Sequence, residues 1–258
     1  MKLIKAPFGS GGLGKTKKTA QSPDKIIAEI EEIYSAEDFN NRKYYVQEIE
    51  CFEDNIGNSH SNIYEKIRNE KERFVLIGGD HSITYPSIKG FAKPNTALVV
   101  FDAHADLMDY TDQASHEDYL RKLIDEKLIA PENIILIGLR NIHQIELDYL
   151  NETGIKYFTS KRIYLNGIEN ICDTVMSKLK KKDNFYVSID IDVLDPAFAP
   201  GTNHIEPGGI TTRELLYFIQ RLKFLKKPFF GDVVEVDTSK DINNLTTRTA
   251  AKIIKEII

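Results

Sequence analysis

Eight short apolar runs punctuate the chain, near Leu3–Ala6, Tyr44–Glu50, Phe74–Ile77, Ala97–Phe101, Ile134–Ile137, Lys156–Thr159, Phe185–Ile189 and Asp232–Val236. Several are unbroken by polar positions. A strand that reads this way is covered on both faces, as in a parallel sheet, whereas a half-solvated strand alternates. The stretches between the runs carry helical spacing. Ser22-Pro23 combines a capping residue with proline at the first helical position, and Ile26, Ile27, Ile30 and Ile33 follow as an apolar stripe. Thr211-Thr212-Arg213-Glu214 reads as a capping box ahead of Leu215, Leu216, Phe218 and Ile219. Further helices are predicted over Ile63–Lys71, Glu117–Glu126, Ile142–Asn151, Ile168–Lys180 and Thr249–Ile258. Strands alternating with helices predict an α/β fold. The expectation is a single three-layer αβα domain over residues 1–258, built on a mostly parallel eight-stranded sheet.

Three of the runs end in islands of acid and histidine: Gly78-Gly79-Asp80-His81, Asp102-Ala103-His104-Ala105-Asp106 and Asp190-Ile191-Asp192. In an open parallel sheet, ligands bind beyond the carboxyl ends of the strands, so residues distant in sequence can meet there. Aspartate has a short arm and places its oxygens accurately from a strand end. Carboxylate and imidazole suit manganese, zinc, iron, cobalt or nickel. So many donors exceed the needs of one ion and suit a pair sharing a water. Each residue alone has a plainer reading: Asp80 as a turn or cap residue, His81 as a structural histidine.

Composition narrows the partners. With 258 residues, 41% hydrophobic and 28% charged, the chain matches a soluble globular protein. A net charge of −5 with both signs mixed argues against nucleic acid and mildly favours a cationic small molecule. Cys51 and Cys172 lack metal or disulfide spacing, and no apolar run is long enough to span a bilayer. These features predict a cytoplasmic protein with no membrane partner.

The islands, extended through Ser188-Ile189-Asp190-Ile191-Asp192-Val193-Leu194-Asp195-Pro196, Ala197–Thr202, Glu206-Pro207-Gly208-Gly209 and Asp232–Val236, resemble the signatures of the ureohydrolase (arginase/agmatinase) family, in the expected order over nearly the whole chain. The resemblance implies an arginase-like fold, assembly into trimers or hexamers, and two manganese ions, with nickel, cobalt or zinc as other divalent candidates. His81, Asp102, Asp106 and Asp190 would hold one ion. His104, Asp102, Asp190 and Asp192 would hold the other. Asp80 and Asp195 fall outside the ligand set. The implied reaction is attack of a bridging hydroxide on the planar carbon of a guanidino or amidino group. Asp192 would orient the nucleophile, Glu235 would accept the guanidinium as a bidentate pair, and His116 would protonate the departing amine.

Other readings of these residues stay open. Glu235 could be a solvated strand end, and His116 an exposed residue after a Ser115 cap. Two segments depart from the family pattern. Asp109–Ser115 lacks the asparagine of similar arginases, and its carboxylates Asp109 and Asp112 suit a cationic substrate or are simply solvated. Asn203-His204-Ile205 stands where relatives carry a Gly-Thr-Pro-like run, which makes Asn203 a candidate substrate contact and leaves His204 either beside the pocket or on the surface. The expected substrate is agmatine, giving putrescine and urea, with arginine and formimidoylglutamate as alternatives. Two rivals come from other classes. Gly9–Thr16 matches a phosphate-binding loop, but Lys15–Ser22 offers no helix that opens directly from it. An inactive binding protein on the same scaffold is the second.

Overall fold

In β3 (Phe74–Gly78), Phe74 and Leu76 turn to one face of the sheet and Val75 and Ile77 to the other, and all four are buried. The same division holds in β4 (Thr96–Phe101) and β7 (Asn184–Asp190). This two-sided burial is why the runs lack polar alternation.

The computed structural model describes residues 1–14 and 17–258. The remaining strands are β1 (Lys2–Ala6), β2 (Tyr45–Glu48), β5 (Ile134–Leu139), β6 (Lys156–Thr159) and β8 (Phe230–Val234). Each of the eight predicted runs overlaps a strand, the last one ending at Val234 rather than Val236, and the strands form one sheet in the order β2-β1-β3-β8-β7-β4-β5-β6. Every neighbouring pair is parallel.

One face is covered by α1 (Ser22–Glu32), α6 (Ser160–Asn166), α7 (Ile168–Leu179), α8 (Thr212–Lys223) and α9 (Leu245–Ile257). The other is covered by α2 (Ile56–Arg68), α3 (Thr84–Phe91), α4 (Tyr119–Asp125) and α5 (Gln144–Thr153). The predicted three layers are therefore present. The capping box of α8 forms as expected: Thr211 N–H donates to Glu214 Oε2 at 2.7 Å, and Glu214 N–H to Thr211 Oγ1 at 3.2 Å.

Local expectations fail where tertiary contacts intervene. Ser22 does not cap α1; its hydroxyl donates to the Gly78 carbonyl at 2.9 Å and ties the helix to β3. α2 starts seven residues before the expected Ile63, because Asn55 Oδ1 accepts from Asn58 N–H and caps a polar first turn. α3 and α6 are short and carry too few apolar positions to show a period.

β3, β8, β7 and β4 lie side by side at the centre of the sheet. All run the same way, so the loops after Gly78, Val234, Asp190 and Phe101 open on one side. All three acid–histidine islands and Glu235 leave the sheet there.

Candidate active site

The aspartates at these strand ends are held by one oxygen and aimed by the other. Asp102 Oδ1 accepts from His104 N–H at 2.7 Å, Asp190 Oδ1 from Asp192 N–H at 2.8 Å, and Asp192 Oδ1 from Ala103 N–H at 3.1 Å. Their Oδ2 atoms face the histidines. His81 Nδ1 lies 3.1 Å from Asp102 Oδ2, 3.3 Å from Asp190 Oδ2 and 3.0 Å from Asp106 Oδ2. His104 Nδ1 lies 3.1 Å from Asp192 Oδ2 and 3.5 Å from Asp102 Oδ1. The six expected metal-holding residues thus converge into two adjoining halves, with Asp102 facing both.

The donor set fits divalent ions. Asp232 Oδ1 accepts from Ser188 Oγ at 2.5 Å, so Ser188 takes the N–H of His81 Nε2 at 2.8 Å. That arrangement turns His81 Nδ1 toward the carboxylates. Despite the short distances, His81 Nδ1 and Asp102 Oδ2 are buried without a hydrogen-bond partner. The atoms therefore point at a common centre rather than at one another, as ligands of a shared cation do. Two like charges 4 Å apart repel by about 4 kcal/mol at an effective dielectric near 20. So many carboxylates cannot all stay ionised without a compensating positive charge. Burial and the neighbouring Asp102 push Asp106 up to about 8. Burial, Asp192 and Asp102 raise Asp190 well above the carboxylate range. Burial opposes charge on His104, yet Asp102 and Asp192 hold it well above the imidazole range. Without ions the cluster gathers protons, and ion binding would release them.

Asp80 and Asp195 each accept hydrogen bonds from nearby residues, while Asp80 Oδ2 is buried without a partner. Asp80 Oδ1 accepts from Ser82 N–H at 3.0 Å and Ser82 Oγ at 2.5 Å. Asp195 accepts from Ala197 N–H at 3.0 Å and Gly208 N–H at 2.8 Å.

A cavity of about 590 Å³ opens on the cluster, lined in part by His116, Glu117, Asn141, His143, His204, Glu206 and Glu235. Glu235 is buried and its backbone is left-handed, at φ 65°. Asp106 is also left-handed, at φ 53°. Such conformations cost about 1–3 kcal/mol each and gather at functional sites. Glu235 Oε1 accepts from His81 N–H at 2.8 Å. His116 is buried, with ring Nδ1 3.4 Å from Glu235 Oε1 and its backbone N–H donating to the Gly11 carbonyl at 3.1 Å. The exposed alternative for His116 therefore does not apply, although Ser115 does make a cap-type bond: its Oγ accepts from Glu117 N–H at 3.4 Å while donating to Asp118 Oδ2 at 2.5 Å. Burial disfavours charge on His116, but Glu117 and Glu235 outweigh it and push the ring up to about 11.

Asn203 does not line this cavity, although Thr202 and His204 on either side of it do. Its Oδ1 accepts from Lys240 Nζ at 2.8 Å. The two loop carboxylates expected to favour a cation also lie elsewhere. Asp109 is drawn to Arg121 at 2.6 Å, and Asp112 lines a separate cavity beside His60.

No local spacing assigns a role to Ser188, Asp232, Arg140 or Glu206. Arg140 donates to the carbonyls of Asp192 at 2.5 Å and Glu206 at 2.6 Å, stitching two site loops together. Glu206 Oε1 stands 3.5 Å from His104 Nε2. Only tertiary folding makes these contacts, so no spacing announces them.

The glycine loop plays a supporting part. Gly9 N–H and Ser10 Oγ donate to Glu53 at 3.0 and 2.6 Å, which places a carboxylate where a phosphate would need those donors. A Cβ on Gly11 would lie 2.0 Å from Ser82 Oγ, so the loop packs directly behind the site. Lys15 and Thr16 of the Gly9–Thr16 pattern lie outside the described residues.

A family model described as "Arginase family" matches residues 1–258. A formimidoylglutamase of Halalkalibacterium halodurans is 37% identical over 186 residues, covering 70% of this chain and 58% of that protein. An agmatinase of Bacillus subtilis is 38% identical over 195 residues, covering 73% of this chain and 64% of that one. The matched segments thus span less than two thirds of those relatives' lengths. The crystal structure of formimidoylglutamase from Bacillus subtilis superposes with a TM-score of 0.92 at 28% identity, covering 99% of this chain and 85% of that one. No helix among the described residues is long and apolar enough to cross a membrane.

Proposed function

Since the chain belongs to the arginase family, we propose that it hydrolyses the guanidino carbon–nitrogen bond of agmatine, with two manganese ions held by His81, Asp102, Asp106 and Asp190 and by His104, Asp102, Asp190 and Asp192. Bound there, the ions would lower the pKa of a shared water and supply a nucleophile at neutral pH. The residues around the cluster do the rest. Asp192, anchored by Ala103 N–H, aligns the attacking water. Glu235, fixed by His81 N–H, offers its carboxylate to the guanidinium and turns the planar carbon toward the cluster. His116 keeps its proton at neutral pH and stands beside Glu235, within reach of the leaving amine. Cys51 and Cys172 are both free thiols, which suits work in the cytoplasm.

The observation that favours agmatine is the charge of the cavity lining. Glu117, Glu206 and Glu235 line it, and no lysine or arginine does so among the described residues. Agmatine is a dication without a carboxylate. Arginine and formimidoylglutamate each bring a carboxylate, for which the lining offers Asn141, Gln144, Thr202 and histidines but no lysine or arginine among the described residues. The relative named formimidoylglutamase keeps that substrate as the second reading. The test is product release with manganese across agmatine, arginine, guanidinobutyrate, guanidine and formimidoylglutamate. Urea and putrescine from agmatine are expected. Urea from arginine alone, or formamide from formimidoylglutamate alone, would overturn the choice.

A further inference from the structure

The two halves of the cluster are unequally furnished. In the His81 half, carboxylate oxygens of Asp102, Asp106 and Asp190 each lie 3.0–3.3 Å from His81 Nδ1. The His104 half has a further imidazole beside it. A ring nitrogen of His204, one of His104 and an oxygen of Asp192 all lie within 4.8 Å of one another. Donors about 2.1 Å from a shared ion can stand at most about 4.2 Å apart, so a small side-chain rotation closes this group on a cation. His204 lines the cavity on the same side, with its ring edge-on to His104 at 5.3 Å between centroids.

The loop that carries His204 is fixed at both ends. Gly201 N–H donates to Thr246 Oγ1 at 2.7 Å, and the Gly201 carbonyl accepts from Asp237 N–H at 2.8 Å. Five residues on, the Glu206 carbonyl accepts from Arg140 Nε at 3.0 Å, and Glu206 Oε1 from Asn141 Nδ2 at 2.7 Å. Arg140 also holds the Asp192 carbonyl, so the loop bearing His204 and the loop bearing Asp192 are tied to one guanidinium. A ring on a loop so anchored is presented to the cluster at little further entropic cost.

We propose that His204 is an additional nitrogen ligand of the ion held by His104 and Asp192. This rests on the two-ion reading above. With it, the His104 half has two imidazoles to the other half's one, which shifts that position toward ions that favour nitrogen, such as nickel, cobalt or zinc, relative to manganese. The two positions would then differ in metal preference as well as in burial.

Cobalt titration of the metal-free full chain, followed by calorimetry and visible absorption, tests this without reading activity. Wild type should bind two ions. In His204→Ala one of the two affinities should fall by about ten- to a hundredfold or more, with a change in the absorption band of that ion and the other affinity intact. His204→Gln preserves bulk and polarity if the alanine variant folds poorly, and should also lose the nitrogen-type band. Two unchanged affinities and an unchanged spectrum in a folded variant would overturn the proposal and leave His204 as a substrate contact. Absence of any cobalt binding by wild type would overturn both this and the two-ion reading.

Discussion

The His81 half of the cluster is built by the sheet, and the His104 half by loops. His81, Asp102 and Asp190 are each almost wholly buried, and behind His81 a hydrogen-bonded line runs through Ser188 to Asp232 inside β7 and β8. His104 is about one-fifth exposed, and its outer nitrogen meets Glu206 on a loop that Arg140 has to hold. The first half inherits its precision from strand register. The second depends on loop-to-loop ties, and these can change without disturbing the sheet. The donors rooted in the sheet are thereby kept apart from the loops that line the cavity.

Asp102 faces both halves, so its loss should erase the comparison. Asp102→Ala is expected to remove bound metal and lower turnover by at least about 10³-fold, as read by metal analysis and product release. Substantial activity in the metal-free variant would break the two-ion mechanism.

Acid should reach the back wall of the buried half through His60. This ring packs between Phe8 and Tyr85, and its Nε2 lies 3.3 Å from the Ser82 hydroxyl. Burial, and then Lys122, hold it down at about 4, against 6.5 for an ordinary imidazole. Above pH 6.5 the ring is neutral in both folded and unfolded chains and contributes nothing. Between 6.5 and 4 the unfolded chain takes the proton first, so stability falls as the pH drops. The total loss is about 3 kcal/mol. Urea unfolding at pH 7.5 and 4.5 should show a smaller acid loss in His60→Gln than in wild type. Equal losses would mean that His60 is not the group responsible.

The smallest effects should separate the halves most cleanly. Ser188→Ala cuts the line behind His81 and is expected to weaken one ion by about ten- to a hundredfold. Glu206→Gln acts on the more open half across 3.5 Å and should change affinity only a few-fold. If calorimetry gave the reverse order, loop ties would matter more than strand support.

Legibility in the sequence follows the same division. The strand runs and the three islands could be read because two-sided burial and strand-end aspartates leave local marks. Placing Glu235 at the site required the family resemblance, since one glutamate at a strand end has no distinguishing spacing. Arg140, Glu206 and the Ser188–Asp232 line act only after folding brings distant segments together. The polar start of α2 was hidden because its cap, Asn55, precedes any apolar period. Asp109 and Asp112 suggest a cationic substrate, and the cavity does have acidic residues in its lining, but these are Glu117, Glu206 and Glu235, while Asp109 pairs with Arg121.

The division of labour within each carboxylate has a consequence for reach. Asp102, Asp190 and Asp192 must each touch a backbone N–H with one oxygen while the other meets the cluster. One methylene more keeps the charge and the chemistry of the head group, yet lengthens the arm so that anchor and target can no longer be met together. Side-chain length is therefore the constrained variable at these three positions, and glutamate there is as foreign as a neutral residue.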